Sequence, residues 1–492
     1  MIGPFVLAID QGTTNTKAAL VDAKGNMVAQ ASCPLTSTYP QAGWAEQSAP
    51  DIWTSVQAVI GSLATKASPQ AIIGIAIANQ RETLVVWDAR TGQPLCPAIL
   101  WQCRRSAAAC AALHAQGKND DVEAATGLSI NPLFPASKLG WVMKNVPLAS
   151  ELALQGNLRA GTVDSWLLWN LTGGAVFATD HSNASRTQLF HTGKLAWDED
   201  LCSLFGAPHS ALATPLHSDT RFGETVDGAT ALPAGIPILA MMGDSHAALF
   251  GHGVRGPGVV KATYGTGSSL MTLTPQRVAS RNGLSGTIAW SRQSKGVSYA
   301  LEGNITVSAQ AAAFMATLLG LDNAAELSTL AQSVSGSNGV CFVPALAGLG
   351  APHWNDDARG TVTGMTHSTL PAHLARATYE AIALQIADVF MAMEQDTGLR
   401  LEGLKADGGA SANDFLMQLQ ADVLNRPVTR GDVAEIGILG VSAMAFASAG
   451  ISFALEIPTG ERHRFLPDMD GTTRLALLKD WQLSLKRAML TV

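Results

Sequence analysis

The sequence predicts an α/β protein built from two domains of related architecture, and three observations carry this prediction. Short apolar runs alternate with polar turns and helical stretches, a pattern typical of α/β proteins. The chain has 492 residues, too many for a single hydrophobic core. A strand, turn and strand near the N-terminus has a weak echo near the middle of the chain. We therefore expect domains at 1–247 and 248–492, although no Pro- or Ser-rich linker marks the boundary.

The first half of the chain begins with a predicted hairpin. Apolar residues at 5–9 and 18–21 flank the polar turn Asp10–Thr16, which indicates two strands joined closely. The residues Ser48-Ala49-Pro50 are typical of a helix start and precede a predicted helix from Asp51 to about Ala64. The apolar run 71–78 predicts a buried strand. Strands mixed with helices of this length support the α/β class.

The second half repeats the hairpin and continues with helices. Apolar runs at 258–263 and 270–273 flank a turn of small residues, which predicts a second pair of strands. Further expected elements are an Ala-rich helix at 307–319, a Gly/Pro loop at 344–353, a long helix at about 371–397 and a strand, turn and helix at 404–424.

Charge and cysteine content narrow the range of partners. The formal net charge is −7, and no basic run exceeds the pair Arg104-Arg105, so we expect neither nucleic acid nor an anionic membrane as a partner. Six cysteines without a C-x-x-C pair favour reduced thiols in the cytoplasm over a disulfide framework. The negative net charge and the absence of a basic run favour a small neutral substrate over a nucleic acid or an anionic membrane.

Two apolar segments raise the question of membrane insertion, and composition argues against both. Residues 5–9 run directly into a polar turn, which favours a buried strand over a signal peptide. The stretch 437–455 has no charge over about the length of a bilayer span. It is rich in Gly, Ala and Ser, however, so we interpret it as a buried helix.

Three turns rich in glycine and hydroxyl or amide side chains are candidates for phosphate or ribose binding. They are Asp10–Asn15, Tyr264–Gly267 and Asp407–Asn413, and each follows an apolar strand. Glycine lets backbone N–H groups approach an anion closely. Ordinary β-turns use the same residues, so any one turn alone is weak support. None matches a Walker loop or a dinucleotide-binding G-x-G-x-x-G opening a helix.

Together with other segments, these turns resemble the FGGY family of carbohydrate kinases, and within it the glycerol kinases, over essentially the whole chain. The resembling segments are Ala8–Thr14, Asn79–Thr83, Trp101–Arg105, Gly161–Asp164, Ser182–Thr187, Gly243–Asp244, Thr263–Gly267, Gly348–Pro352, Arg359–Gly360 and Asp407–Ala410. Residues 133–145 and 360–380 are similar to the two sequence signatures of the family, with Leu133 where an aromatic or small residue is usual.

The resemblance implies two actin-like, ribonuclease-H-like domains with a substrate and ATP cleft between them, and ATP and Mg²⁺ as cofactors. The first domain would bind the polyol or sugar and the second the nucleotide. The residues implied at ATP are Thr13, Thr14, Asn15 and Lys17 in the first domain and Gly265, Thr266, Gly267, Ala309, Gly408, Gly409 and Asn413 in the second. Near Ala309, alanines replace the family's usual Gly and Gln contacts to the ribose.

By the same resemblance, Asp244 is the catalytic base of phosphoryl transfer. It follows the apolar run 236–242 and precedes a helix-like segment, a position from which a strand end can present it. The competing interpretation is a helix N-cap, for which Asp is a preferred residue. Asp10, together with Asp244, is implied at Mg²⁺, which prefers oxygen ligands and keeps much of its water. Asp10 could instead be only a turn residue.

The residues implied at the substrate begin with Arg81 and Glu82, an adjacent pair suited to hydroxyl groups, and Trp101 as an apolar wall. The alternatives are a surface ion pair for the first two and ordinary core packing for the tryptophan. Leu133 completes this part of the expected pocket. We expect His246 to face solvent.

Three departures from glycerol kinases bear on the substrate. Leu133, Ser245 and Ser269 stand where those enzymes have tyrosine, glutamine and phenylalanine in the polyol pocket. The changes imply a larger and partly more polar cavity, and pockets discriminate by such differences. A kinase for a tetritol, a pentitol or a xylulose- or ribulose-type ketose is therefore an alternative to a glycerol enzyme.

A remote alternative is an actin- or chaperone-like ATP-binding protein without a sugar substrate, because one fold can serve several functions. Such a protein would have little use for Asp244 together with Arg81 and Glu82. The sequence does not identify the oligomeric state, for which a homodimer or a homotetramer is a candidate, and it does not identify the pathway.

Overall fold

The computed structural model describes residues 3–431, 435–454 and 464–490, and it has the predicted α/β class. The chain forms two compact units. The first unit comprises Met1–Val254, Gly286–Tyr299 and Glu435–Glu456, and the second comprises Arg255–Ser285, Ala300–Ala434 and Ile457–Val492. The boundary near residue 247, with substrate and nucleotide functions divided across it, stays a prediction.

The strands are numbered in chain order. They are β1 Phe5–Gln11, β2 Asn15–Asp22, β3 Met27–Pro34, β4 Glu46–Gln47, β5 Ile72–Asn79, β6 Val85–Asp88, β7 Ala98–Ile99, β8 Leu158–Gly161, β9 Ala178–Asp180, β10 Phe190–His191, β11 Ala196–Trp197, β12 Thr214–Leu216, β13 Gly223–Glu224, β14 Pro237–Gly243, β15 Val259–Tyr264, β16 Ser268–Thr274, β17 Ser285–Arg292, β18 Gly296–Ile305, β19 Cys341–Val343, β20 Thr361–Thr363, β21 Gly403–Asp407, β22 Val428–Arg430 and β23 Arg464–Phe465.

The α-helices follow the same convention. They are α1 Ala49–Ala64, α2 Ala107–Ala115, α3 Asn119–Thr126, α4 Pro135–Asn145, α5 Pro147–Leu154, α6 Val163–Leu171, α7 His181–Ala184, α8 Glu199–Phe205, α9 Asp244–Gly251, α10 Ala309–Leu318, α11 Ala324–Gln332, α12 Pro371–Thr397, α13 Asp414–Leu424, α14 Ile436–Ser448 and α15 Gly471–Ala488. Short 3₁₀ helices cover Pro69–Ala71, His209–Ala211 and Gly409–Ala412.

The first unit is organised by a six-stranded sheet with the order β13-β14-β5-β1-β2-β3. The predicted hairpin is confirmed, since β1 and β2 pair antiparallel. Strands β1, β5 and β14 run parallel, and Gln11 and Gly243 both pair with Asn79. The carboxyl ends of these three strands therefore meet at one edge of the sheet, where α/β proteins usually bind ligands.

Helices cover this sheet because its central strands are continuous apolar runs, as in other parallel sheets. Helix α1 has the predicted extent, begins at the N-cap Ser48 and packs on β2 and β3. Helix α14 packs on β1, β5 and β14. It covers residues 437–448 of the uncharged stretch 437–455 and buries most of its side chains, as expected of a buried helix.

The second unit contains most of a seven-stranded sheet with the order β17-β18-β16-β15-β21-β22-β23. The second predicted hairpin is confirmed, because β15 and β16 pair antiparallel. Strand β15 also pairs in parallel with β21, and Thr263 lies opposite Asp407. Helix α12 has the predicted bounds and packs against α10, α11 and α13.

Residues Gly286–Tyr299, from the hairpin of β17 and β18, belong to the first unit. Ile288 packs with the buried Ala184 and Phe190, and the Trp290 ring lies 4.9 Å from that of Phe250. The first unit is thus assembled from separate parts of the chain.

None of the helices within residues 3–431, 435–454 and 464–490 combines the length and the apolar character of a membrane span.

Candidate active site

Asp244 stands where β14 passes into α9, at the edge of the sheet where the parallel strands end. The N-cap position of α9 is Gly243, and no side chain caps the helix there. The interpretation of Asp244 as only an N-cap is therefore wrong. Its carboxylate accepts a hydrogen bond from the Ser245 backbone N–H at 2.6 Å and remains 41% exposed. A general base needs a carboxylate that is held in a fixed orientation and is still accessible to a bound ligand.

Arg81 and Glu82, directly after β5, form ion pairs with residues that are distant in sequence. The Nε of Arg81 lies 3.2 Å from Oδ1 of Asp244, and Arg81 is 8% exposed. Oε1 of Glu82 accepts from Nε of Arg186 at 2.6 Å, and that arginine is fully buried. The alternative of a surface ion pair is therefore wrong. Glu82 has a φ of 60°, an uncommon and costly conformation for a residue other than glycine.

Lys138 on α4 connects three of the expected substrate residues. Its buried Nζ donates to the backbone carbonyls of Leu133 at 2.6 Å, Glu82 at 2.8 Å and Trp101 at 3.4 Å. Burial lowers the pKa of this lysine to about 7; Glu82, Cys103 and Cys110 act in the opposite direction, and Arg105 adds to the lowering. The ammonium form offers one N–H to each of the three carbonyls.

The affinity for the substrate is expected to fall as pH rises through about 7, because neutral Lys138 has only two N–H donors for three carbonyls. The KM for the preferred polyol, measured from acidic to alkaline pH, should therefore rise above this value. Lys138→Gln should raise the KM at every pH and abolish the dependence. An unchanged alkaline rise in Lys138→Gln would show that another group is responsible.

Trp101 is 39% exposed, so the alternative of ordinary core packing is wrong. Its indole Nε1 donates to Oγ1 of Thr13 at 3.1 Å. Leu133 and Ser245 are half-buried, and the expected widening of the pocket at these positions stays a prediction. The expectation for His246 is wrong: this residue is fully buried, and its Nε2 lies 3.2 Å from Oγ1 of Thr287. Its neighbour Ala247 faces the core, so α9 is buried on more than one side.

The first glycine-containing turn joins β1 to β2 and contains the residues expected at ATP. The backbone N–H of Gly12 donates to the carbonyl of Asn15 at 3.0 Å and closes the turn. Thr14 is exposed, and Asn15 donates to its hydroxyl at 3.3 Å. Lys17 pairs with Glu435 at 2.6 Å, so its ammonium lies beside a carboxylate in this structure.

Asp10 lies at the end of β1 and carries the donor chemistry of a magnesium site. The pKa of its carboxyl is raised to about 7, first by burial and then by the charges of Asp244 and Glu435, while Lys17 acts in the opposite direction. A cation would relieve this repulsion, so the residues fit Mg²⁺. Gly437 lies beside both residues, since an added Cβ would be in ordinary van der Waals contact, 3.7 Å from Oδ2 of Asp10 and from the Asp244 carbonyl. Within the described ranges, no three or more His, Cys, Asp or Glu residues are grouped to hold a metal.

In the second unit, the other expected nucleotide residues share one edge of the sheet. Gly265 and Gly267 form the turn from β15 to β16, and the N–H of Ala309 at the start of α10 donates to the carbonyl of Gly265 at 3.1 Å. An added Cβ at Gly408 would lie 2.5 Å from the carbonyl of Tyr264, so only glycine fits. Gly409 has open space at its Cβ position, and Thr266 is exposed. The backbone at this edge is accessible to a ligand.

The remaining two expected residues of the second unit have partners within it. Asn413 is the N-cap of α13: its Oδ1 accepts from the N–H of Leu416, and its Nδ2 donates to Ser328 at 3.0 Å. The hydroxyl of Ser269 donates to Oε1 of Glu302 at 3.1 Å.

The sequence did not identify the roles of Lys138 and Arg186, although both lie in segments that resemble the family. Each is a charged residue among apolar and small neighbours. A charge in such surroundings is rarely buried without a partner, which is the signal that could have singled them out. Their partners become visible only in the fold: Glu82 lies 104 residues from Arg186 and 56 residues from Lys138.

Comparison with known proteins gives the class and the family. The profile for the FGGY family of carbohydrate kinases, N-terminal domain, matches residues 5–251, and that for the C-terminal domain matches residues 260–449. The glycerol kinase of Symbiobacterium thermophilum is 46% identical over 493 residues, 98% of each chain. The apulose kinase of Pectobacterium atrosepticum is 46% identical over 443 residues, 90% of this chain and 89% of its own.

A solved structure agrees with these relatives. The crystal structure of Plasmodium falciparum glycerol kinase with ADP matches with a TM-score of 0.93 and 30% identity, covering 99% of both chains. The protein is an ATP-dependent carbohydrate kinase that phosphorylates a hydroxyl of a small polyol or sugar, with ATP and Mg²⁺ as cofactors. The chain belongs to the FGGY family of carbohydrate kinases. The predicted two-domain kinase fold is confirmed, and the actin- or chaperone-like alternative is not supported.

Proposed function

We propose that the chain is a glycerol kinase-like enzyme in which Asp244 accepts the proton of the substrate hydroxyl during phosphoryl transfer. The observation that carries this proposal is the accessible Asp244 carboxylate, held by its ion pair with the buried Arg81 at the carboxyl edge of the sheet. A base must lie within hydrogen-bond reach of the hydroxyl, and a fixed partner keeps it oriented.

In this mechanism, the substrate hydroxyl attacks the γ-phosphorus of ATP. A bond forms between them, the bond from that phosphorus to the β–γ bridging oxygen breaks, and ADP leaves. The hydroxyl proton moves to the carboxylate of Asp244. Arg81, whose Nε lies 3.2 Å from Oδ1 of this carboxylate, keeps it oriented toward the hydroxyl.

The remaining assignments extend the same proposal. Arg81, Glu82 and Trp101 would contact the hydroxyls and carbon chain of the substrate, with Leu133, Ser245 and Ser269 in the pocket. Thr13, Thr14, Asn15 and Lys17 would bind the phosphates. The residues at the nucleotide from the second unit would be Gly265, Thr266, Gly267, Ala309, Gly408, Gly409 and Asn413. Asp10 and Asp244 would hold Mg²⁺, which neutralises the phosphate charge when bound.

The substrate is tested by measuring ATP consumption with glycerol, erythritol, threitol, pentitols, ketopentoses and apulose. We expect glycerol to give the highest kcat/KM, because 46% identity to a glycerol kinase extends over 98% of the chain. A pentitol or ketose with a higher kcat/KM than glycerol would instead be the preferred substrate and would support a widened pocket. The relative named apulose kinase makes a ketose a specific alternative. No turnover with any compound would contradict the proposal.

We further propose that the enzyme acts in the cytoplasm as a homodimer or homotetramer. All six cysteines are free thiols, which supports a reducing compartment. The exposed Leu475 and Leu483 on α15 supply apolar surface for self-association. Sedimentation velocity gives the oligomeric state, and a monomer over the working concentration range would contradict this part.

A further inference from the structure

Four residues of the first unit form a closed ring of hydrogen bonds beside the proposed site. The indole N–H of Trp101 donates to the hydroxyl of Thr13 at 3.1 Å, and this hydroxyl donates to Oε1 of Gln80 at 3.2 Å. The backbone N–H of Trp101 donates to the hydroxyl of Thr83 at 3.3 Å, and that hydroxyl donates to the same Oε1 at 3.0 Å. Both branches from Trp101 therefore converge on one amide oxygen.

The orientation of the Gln80 amide is fixed by its other end. Its Nε2 donates to Oε1 of Gln11 at 3.2 Å and to Oε1 of Gln47 at 3.1 Å. Those two glutamines use their own NH₂ groups on the carbonyls of Gly12 and Thr13, so their oxygens face Gln80. A flipped Gln80 amide would place its oxygen against two acceptors and its NH₂ group against the two threonine hydroxyls.

The ring joins parts of the chain to which different ligands are assigned. Thr13 belongs to the turn expected at the ATP phosphates, and Trp101 to the wall expected at the polyol. Gln80 is 2% exposed and immediately precedes Arg81, which pairs with Asp244. Because the Thr13 hydroxyl already donates to Gln80, Thr13 is left with its backbone N–H as the donor for a phosphate.

We propose that Gln80 is a positioning residue. Through this ring of hydrogen bonds it fixes the orientation of both the phosphate turn, at Thr13, and the polyol wall, at Trp101. Trp101 then acts on the nucleotide as well as on the polyol. Without the indole N–H, the Thr13 hydroxyl loses one hydrogen bond and the phosphate turn is less ordered. Nucleotide binding must then order the turn, which lowers the affinity for the nucleotide. The inference rests on the proposed role of Thr13 at ATP.

The test measures the Kd of a non-hydrolysable ATP analogue with Mg²⁺ and without polyol, by calorimetry on the full chain. Trp101→Phe keeps an aromatic wall but removes the N–H, and it should raise the Kd about 3- to 10-fold, the effect of one lost hydrogen bond. The matched control is Trp169→Phe, the same change in a ring cluster of α6 that lies outside the hydrogen-bonded ring; it should leave the Kd unchanged.

Thr83 provides a second test, because it lies in the ring and is not among the proposed ligand contacts. Thr83→Val preserves shape but removes the hydroxyl, and it should raise the KM for both ATP and polyol. Thr83→Ser, which retains the hydroxyl, should restore both. A merely structural role would lower the yield or thermal stability of Thr83→Val without changing either KM.

The outcomes separate this inference from the proposed function. If the wild-type enzyme turns over a polyol but Trp101→Phe binds the analogue as tightly as the wild type, the ring does not couple the two sites. If folded Thr83→Val has the wild-type KM for both ATP and polyol, Gln80 is not a positioning residue. Failure of all compounds in the substrate panel would contradict the proposed function, whatever the analogue affinities are.

Discussion

Replacement of Asp244 by alanine is expected to lower kcat by about 10²-fold or more, the usual contribution of a general base. The carboxylate of Asp244 lies 3.2 Å from Nε of Arg81 at the end of β14, so a substitute base would need a rearranged site. Asp244→Asn keeps the shape and hydrogen-bonding capacity of the side chain but cannot accept the proton. It should show a comparable loss of kcat.

The matched control is Asp121→Ala, which removes an exposed carboxylate of α3 and should leave kcat unchanged. Steady-state kinetics with saturating ATP and polyol measure the effect. Thermal unfolding of the same samples shows whether the Asp244 variants are folded. Near wild-type kcat in folded Asp244→Ala would exclude this residue as the base.

The largest effect on stability is expected for Arg186→Met. This arginine is fully buried, its Nε pairs with Glu82 at 2.6 Å, and its guanidinium lies 5.2 Å from the centre of the Phe134 ring. Removal of one partner leaves a buried carboxylate without its counter-charge. The free energy of unfolding should fall by about 3–5 kcal/mol, the usual cost of such a break.

Two comparisons identify the cause of this loss. Arg221→Met, which breaks the exposed pair with Glu224, should change the free energy of unfolding by less than about 1 kcal/mol. The double variant Glu82→Leu, Arg186→Met removes both buried charges and should recover part of the stability, although not the activity. Denaturant unfolding followed by tryptophan fluorescence measures all three. If the double variant is no more stable than Arg186→Met alone, lost packing rather than the unpaired charge is the cause.

Local patterns in the sequence were sufficient to predict helices and hairpins, because these elements form from residues that are close together in the chain. The hairpin of β1 and β2 and the bounds of α12 follow from apolar periodicity, turn residues and a helix-starting proline. Asp244 shows the limit of such reasoning. Its local chemistry favours an N-cap, and only the family resemblance indicated a base.

The interactions that organise the proposed site depend on pairings between distant segments. The three carbonyls that accept hydrogen bonds from Lys138 belong to residues up to 56 positions away in sequence. Arg186 and its partner Glu82 are separated by 104 positions. The burial of His246 against Thr287 depends on a segment from the hairpin of β17 and β18. Periodicity along one stretch contains no information on which other stretch will lie beside it.

The way the chain is divided between its two units has a consequence for biosynthesis. The first unit needs Gly286–Tyr299, which follows the segment Arg255–Ser285 of the second unit, and helix α14, which follows the much longer segment Ala300–Ala434. Until the ribosome has translated α14, the strands β1, β5 and β14 lack the helix that covers them. Folding of the N-terminal half therefore cannot finish ahead of the rest, as it does in proteins whose domains are continuous. The nascent chain must keep this apolar surface from aggregating until residues 436–448 have emerged.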